Sequence, residues 1–303
     1  MFERILLPLD GSDLAETAIP YVWDLAGQLE AEVYLLHVCP PAEHKTDLGI
    51  HQLYLNNIAE NLRQRIKENW QPSGEPKIQV EVILDEPVNA IFEYVKQKSI
   101  SMVALTSHGT SGLRAWAMGS VADRVVRGVG VPTLLIRIKE GRIIPEKKGL
   151  IQKILLPLDT SDASGVAIPY AIQLAKKLKA SIDLFSMAQT IYAQTIIGAG
   201  GMGGDFGGNL DSIDVAGKKY TEEYLQGIAD EIRKAGVEVT QTSVLSMDAA
   251  FEILEMEKKI QPDLVVMATR GRSNIARWAL GSVAEKVLRE GDRPILMVKE
   301  TAK

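Results

Sequence analysis

The sequence predicts an α/β protein made of two tandem domains, each an open five-stranded parallel sheet with helices on both faces. Two observations carry that prediction. The chain repeats itself: Ile5-Leu6-Leu7-Pro8-Leu9-Asp10 returns as Ile154-Leu155-Leu156-Pro157-Leu158-Asp159, and the segment Gly112 to Ala122 returns as Asn274 to Ala284. Within each copy, short apolar runs alternate with amphipathic helical stretches, the pattern of strands buried on both faces. A chain of 303 residues is long for one core and ample for two domains of about 150 residues. The repeat sets expected boundaries at 1–139 and 151–303. Between them, 140–150 carries Gly141, Pro145 and Gly149 among several charges and reads as an exposed linker.

The elements follow in order. The first strand, Arg4 to Leu9, is ended by Asp10-Gly11-Ser12-Asp13, a cluster of turn and N-cap residues. A helix then places Ala18, Val22, Leu25, Ala26 and Leu29 on one face, closed by Gly27 and the charged stretch at 30–32. The strand Val33 to Val38 completes a right-handed βαβ unit. A polar helical region around Asn57 to Trp70, a strand at Ile78 to Leu84 and a helix opened by Pro87 come next. A strand at Met102 to Thr106, a helix from Gly119 to about Arg127 and a last strand at Thr133 to Ile138 finish the first copy. The second copy predicts strands at Lys153 to Pro157, Ser181 to Met187, Val237 to Val244, Leu264 to Ala268 and Ile295 to Val298, with the helical stripe Ala167, Ala171, Leu174, Ala175 and Leu178. A glycine-rich insertion, Gly198 to Asn209, has no counterpart in the first copy and reads as a mobile loop. The last strands, Thr133 to Ile138 and Ile295 to Val298, are better covered than left open, so the halves are expected to pack face to face about a pseudo-twofold axis.

Composition excludes several classes of function. A net charge of −5 gives no global attraction for nucleic acid or anionic lipid, and no apolar run is long enough to cross a membrane. The opening Met1-Phe2-Glu3-Arg4-Ile5 does not read as a signal peptide, and the single cysteine, Cys39, suits a reducing cytoplasm and a packing role. The sequence offers no glycine-lysine-serine phosphate loop, no cysteine or histidine metal cluster and no nucleophile elbow. Gly198-Ala199-Gly200-Gly201-Met202-Gly203 has the spacing of a dinucleotide fingerprint but lies far from the first strand, where that fingerprint belongs.

Open parallel sheets bind ligands beyond the carboxyl ends of their strands, where strand order reverses. Two segments of each half are expected there. One is the turn carrying Asp10 or Asp159. The other follows strand four: Thr106-Ser107-His108-Gly109 and then Gly119-Ser120, matched by Ala268-Thr269-Arg270-Gly271 and then Gly281-Ser282. Glycines admit an anion close to the backbone, Ser120 and Ser282 offer hydroxyls, and the first turn of a helix leaves N–H groups unpaired. Asp10 and Asp159 suit a ribose hydroxyl, an adenine amine or a magnesium ion bridging phosphates; helix capping is the simpler alternative, and their recurrence with the glycine loop in both halves favours ligand contact.

On these residues the chain resembles a tandem universal stress protein of the UspA-like family, whose fingerprint is a glycine, two residues, a glycine, nine residues, then glycine and serine or threonine. The resemblance implies a Rossmann-like nucleotide-binding fold, cytoplasmic location, pairing of modules through their last strands, and ATP or AMP binding in a subset of members. Carried over residue by residue, the nucleotide-binding positions are Pro8, Asp10, Val38, Thr106, Gly109, Gly119, Ser120 and Val121, with Pro157, Asp159, Met187, Ala268, Gly271, Gly281, Ser282 and Val283 in the second half. Val38 and Met187 are expected to line the adenine pocket. Thr106 and Ala268 stand where the family pattern has its first glycine, and a threonine there weakens the first site if that position needs positive φ.

The reading is thus a stress or signalling protein that binds ATP, AMP or ADP at one or both modules, with magnesium held by Asp10 or Asp159 and the phosphates. No catalytic residue is assigned: His108 is matched by Arg270, so no general base recurs, and Trp116 and Trp278 read as packing. An interaction or scaffold protein with vestigial pockets is the alternative, and a slow nucleotide hydrolase a third. Homodimerisation beyond the intramolecular pairing is left open.

Overall fold

The computed structural model describes residues 1–41, 48–70, 72, 74–107, 118–137, 147–190, 207–270 and 280–299. The first module contains β1 (Arg4–Pro8), α1 (Asp13–Glu16), α2 (Ile19–Leu29), β2 (Glu32–Cys39), α3 (Leu48–Trp70), β3 (Ile78–Leu84), α4 (Pro87–Gln97), β4 (Met102–Thr106), α5 (Ser120–Gly128) and β5 (Thr133–Ile136). The second contains β6 (Lys153–Leu158), α6 (Asp162–Gly165), α7 (Ile168–Leu178), β7 (Ser181–Gln189), α8 (Gly207–Lys234), β8 (Val239–Ser246), α9 (Ala249–Ile260), β9 (Leu264–Ala268), α10 (Ser282–Glu290) and β10 (Ile295–Val298). Every expected strand is present. The helix after each first strand is broken in two, because Pro20 and Pro169 stand in the first turn of a fresh helix, where a missing N–H does no harm.

Gly27 does not end its helix as expected. It lies inside α2, where a Cβ would meet the Trp70 indole at 1.8 Å, so its bare backbone seats that ring. The helix ends instead at Glu30, in the left-handed conformation at φ 53°, and Lys179 ends α7 in the same way at φ 55°.

All ten strands form one sheet in the order β3-β2-β1-β4-β5-β10-β9-β6-β7-β8. The expected face-to-face packing is therefore replaced by edge-to-edge pairing. β5 and β10 run antiparallel, with Leu296 opposite Leu134 and Ile295 opposite Leu135. The correspondence that maps Gly119 onto Gly281 also maps Leu134 onto Leu296, so the junction is centred on a self-equivalent pair and obeys the pseudo-twofold relation. Hydrogen-bonding the two edge strands to each other satisfies their backbone groups and removes both edges at once.

Side chains alternate between two apolar layers. Ile5, Leu7, Val33 and Leu35 face α2 and α3, whereas Leu6, Tyr34 and Leu36 face α4 and α5, and each layer runs on into the second module. At the junction, Arg127 of α5 pairs with Glu285 of α10 at 3.2 Å. Arg137 donates to the Val287 and Arg289 carbonyls at the end of α10, and Lys299 donates to the Val129 carbonyl after α5. Each module thus supplies a cation to the carboxyl end of the other's last helix, which the helix dipole favours. Burial lowers the Arg137 pKa to about 10.

The segment between the modules is not exposed throughout. Leu150 and Ile151 are buried, and buried Asp24 of α2 accepts hydrogen bonds from Gly149 N and Leu150 N, both at 2.9 Å. Of the insertion, 198–206 lies outside the described residues. Gly207 to Asn209 belong to the start of α8 rather than to a loop. No helix among the described residues is long and apolar enough to cross a membrane.

Candidate functional site

The strand order places β1 beside β4 in the first module and β6 beside β9 in the second, with β2 and β7 on the other side. These are the points where chain direction around the sheet reverses, the place where open α/β sheets form a ligand crevice beyond the strand ends. What fills each crevice follows from local sequence.

After β1 the chain turns on Gly11, at φ +80°. Asp10 is exposed, and its Oδ1 accepts from Ser12 N at 3.1 Å and from Ser12 Oγ at 2.6 Å. Ser12 in turn caps α1, accepting from Ala15 N. The aspartate therefore does not cap the helix, contrary to the simpler expectation. It buttresses the serine that does. The second module repeats this: Asp159 Oδ1 accepts from Ser161 N and Oγ, and Ser161 accepts from Ser164 N. There the turn residue is Thr160 at φ +66°, an uncommon conformation for a β-branched residue.

The other wall comes from the segment after β4. Thr106 and Ala268 are the buried last residues of β4 and β9. Neither adopts positive φ, so the family's missing first glycine imposes no backbone strain at either position. Ser107 N donates to Ile136 O, and Gly119 N returns to Ser107 O at 2.8 Å. The equivalents are Thr269 N to Val298 O and Gly281 N to Thr269 O at 2.8 Å. The chain is thus pinned on both sides of 108–117 and of 271–279, which include Gly109, Gly271, His108, Trp116 and Trp278 and lie outside the described residues.

Gly119 and Gly281 are the N-cap residues of α5 and α10, at φ −58° and −63°, and neither helix has a side-chain cap. Any residue tolerates that backbone conformation. The consequence of glycine is a helix start whose first N–H groups receive no acceptor from an N-cap side chain. Ser120 and Ser282 are exposed in the same turn, while Val121 and Val283 pack partly against the core. Val38 and Met187 are half-buried at the ends of β2 and β7. Pro8 is half-buried, and Pro157 is buried.

Two residues escaped the sequence reading. Tyr54 of α3 and Tyr224 of α8 occupy equivalent positions beside the aspartate turns. Burial chiefly raises both phenols above the usual tyrosine value. The Glu16 hydrogen bond and the charge of Asp10 add to this at Tyr54, and the charge of Asp159 adds to it at Tyr224. Their signal was the alignment of the helical stripe Leu55, Ala59 and Leu62 with Leu225, Ala229 and Ile232. A separate surface cavity, lined by Leu254, Glu257, Gln261, Glu290 and Arg293 among others, lies at the amino ends of β9 and β10, away from both crevices.

Fold and site together define a tandem, doubly wound α/β protein with an uncapped helix start at each switch point. The sequence profile described as the Universal stress protein family matches residues 1–137 and 150–299, and the chain belongs to that family. Over 161 residues it is 32% identical to universal stress protein MJ0531 of Methanocaldococcus jannaschii, covering 53% of this chain and 89% of that protein. A universal stress protein of Mycolicibacterium smegmatis is 23% identical across 97% of this chain and 96% of its own length. Among solved structures, a universal stress protein from Archaeoglobus fulgidus superposes with a TM-score of 0.65 at 20% identity, over 99% of each chain. That likeness shows the fold.

Proposed function

We propose that this protein binds an adenine nucleotide at the switch-point crevices of its two modules, as a cytoplasmic stress or signalling protein rather than an enzyme. The observation that carries the reading is the duplicated helix start at Gly119-Ser120 and Gly281-Ser282, without a side-chain cap and following strands that neighbour those ending in the Asp10 and Asp159 turns. A polyphosphate can supply the acceptors that a glycine N-cap does not. The aspartate turns stand where they can meet a ribose or base, and Val38 and Met187 offer the apolar contact for adenine. Magnesium fits best as an ion carried largely by the phosphates, because Oδ1 of Asp10 and of Asp159 already accepts two hydrogen bonds.

Isothermal titration with ATP, with and without magnesium, tests the reading. Saturable binding is expected, weakened at least tenfold by the paired substitutions Gly119→Pro and Gly281→Pro, which remove an N–H pinned to Ser107 or Thr269 and disturb the helix start. Because proline also disturbs the backbone, Ser120→Asp with Ser282→Asp supplies the second arm: a carboxylate in the phosphate seat repels the ligand and leaves the fold intact. No binding at millimolar ATP overturns the proposal and leaves the interaction-protein reading in its place.

A further inference from the structure

We propose that His37, Cys39 and His51 of the first module form a binding site for a divalent cation of the zinc class. The sequence, read residue by residue, showed no metal cluster. His37 and Cys39 are separated by one residue, and His51 lies beyond a connection that gives no spacing rule. The fold brings them together. His37 and Cys39 lie on the same face of β2, both buried, and their strand is held by β1 on one side and by β3 on the other, with His37 opposite Val82 and Cys39 opposite Leu84. His51 sits in the first turn of α3, which packs on that face, and its ring stacks on that of His37 with centroids 4.0 Å apart and planes 16° apart.

One ligand atom from each of the three residues lies within 4.8 Å of the others. Zinc bonded to imidazole nitrogen at about 2.0 Å and thiolate sulfur at about 2.3 Å holds neighbouring ligand atoms about 3.5 Å apart, so modest side-chain rotation completes the set. His51 Nε2 is buried and has no hydrogen-bond partner among the described residues, a condition that costs free energy and that coordination relieves. The ligand types are decisive for the metal. Two imidazoles and a thiolate suit zinc or its spectroscopic substitute cobalt, and do not suit magnesium or calcium, which prefer oxygen. Three protein ligands leave a fourth position for water or another ligand.

The site is distinct from the proposed nucleotide crevice. Val38, between the two β2 ligands, points to the opposite layer, against the α4 and α5 side. It is also absent from the second module, where the equivalent strand positions hold Ser186 and Ala188, and the equivalent helix position holds Thr221.

The test is titration of the reduced full-length chain with cobalt(II) in the absence of oxygen, followed by displacement with zinc. One cobalt per chain is expected, with tetrahedral visible bands and a near-ultraviolet thiolate-to-cobalt absorption that zinc abolishes. Cys39→Ser is expected to lose the thiolate absorption, and His51→Gln to weaken binding by at least about tenfold. His51 is only partly buried at a helix start, so its substitution keeps the test valid should the Cys39 variant fail to fold. Absence of the thiolate absorption in the parent chain, or its persistence at equal affinity in His51→Gln, overturns the proposal.

Discussion

The two modules share a backbone and diverge in what hangs on it. Both turn after the first strand through an aspartate-braced serine cap, both end helix two with a left-handed residue, and both start the last helix on an uncapped glycine. Yet the end of the second strand carries histidine and cysteine in one module and serine and alanine in the other. At the position of Asp24, the second module has Gln173. Duplication preserved the hydrogen bonds that shape the chain, while side chains that serve one module only were free to change. The differences therefore separate scaffold from specialisation better than either module alone.

Asp24 gives the sharpest contrast. Burial raises its pKa, against the pull of the hydrogen bonds from Leu150, Gly149 and Gln28, and it holds the start of the second module onto the first. Gln173 Oε1 is buried without a hydrogen-bond partner among the described residues. Asp24→Ala is expected to cost about 3 kcal/mol, since it removes three hydrogen bonds to a carboxylate and strands the N–H groups of Gly149 and Leu150. Gln173→Leu should be close to neutral. Urea unfolding monitored by circular dichroism checks both, and equal losses at the two positions would erase the contrast.

That tether also marks how far the sequence could be read. The alternation of strands and helices in each module, the boundaries of β3, β4, β9 and β10, and the repeated aspartate turns after β1 and β6 were legible, because apolar runs of strand length and a repeated motif are local signals. Asp24 was not, because its partners lie 125 and 126 residues away and are backbone groups, which leave no mark in composition. The histidine-cysteine cluster was hidden for the same reason: its members meet only once α3 lies on β2. Pairing through the last strands was implied by the family resemblance, whereas the exposed strand itself, which signals that it must be covered without saying by what, pointed to face-to-face packing.

A smaller effect separates the turns after β1 and β6. Gly11 and Thr160 occupy equivalent left-handed positions, at φ +80° and +66°. The glycine is unstrained there, whereas a threonine holds that conformation at a cost of about 1 kcal/mol or more. Thr160→Gly is accordingly expected to raise stability slightly, with the unfolded chain's added freedom offsetting part of the gain, and Gly11→Thr to lower it by about 1 kcal/mol. Thermal unfolding of both variants decides the matter. Destabilisation by Thr160→Gly would mean that the threonine side chain contributes more than its backbone costs.

A last contrast tests the reciprocal pegs at the junction, where Arg137 and Lys299 reach across to opposite modules. Burial first, and the nearby charge of Arg270 second, lower the Lys299 pKa from its ordinary 10.5 to about 8. In the window between these values the unfolded chain binds more protons than the folded one, so stability rises with pH across it. Below about pH 8 the folded protein carries a half-buried ammonium at a cost, offset in part by its hydrogen bond to the Val129 carbonyl. Lys299→Met removes both the charge and the slope. The parent chain should therefore gain on the variant in urea midpoint as pH is raised from 7 to about 10, while Arg137, whose pKa falls only to about 10, stays largely charged over most of that range. Parallel midpoints for parent and variant would show that Lys299 reaches solvent freely, and that the two pegs are less alike in burial than their shared geometry implies.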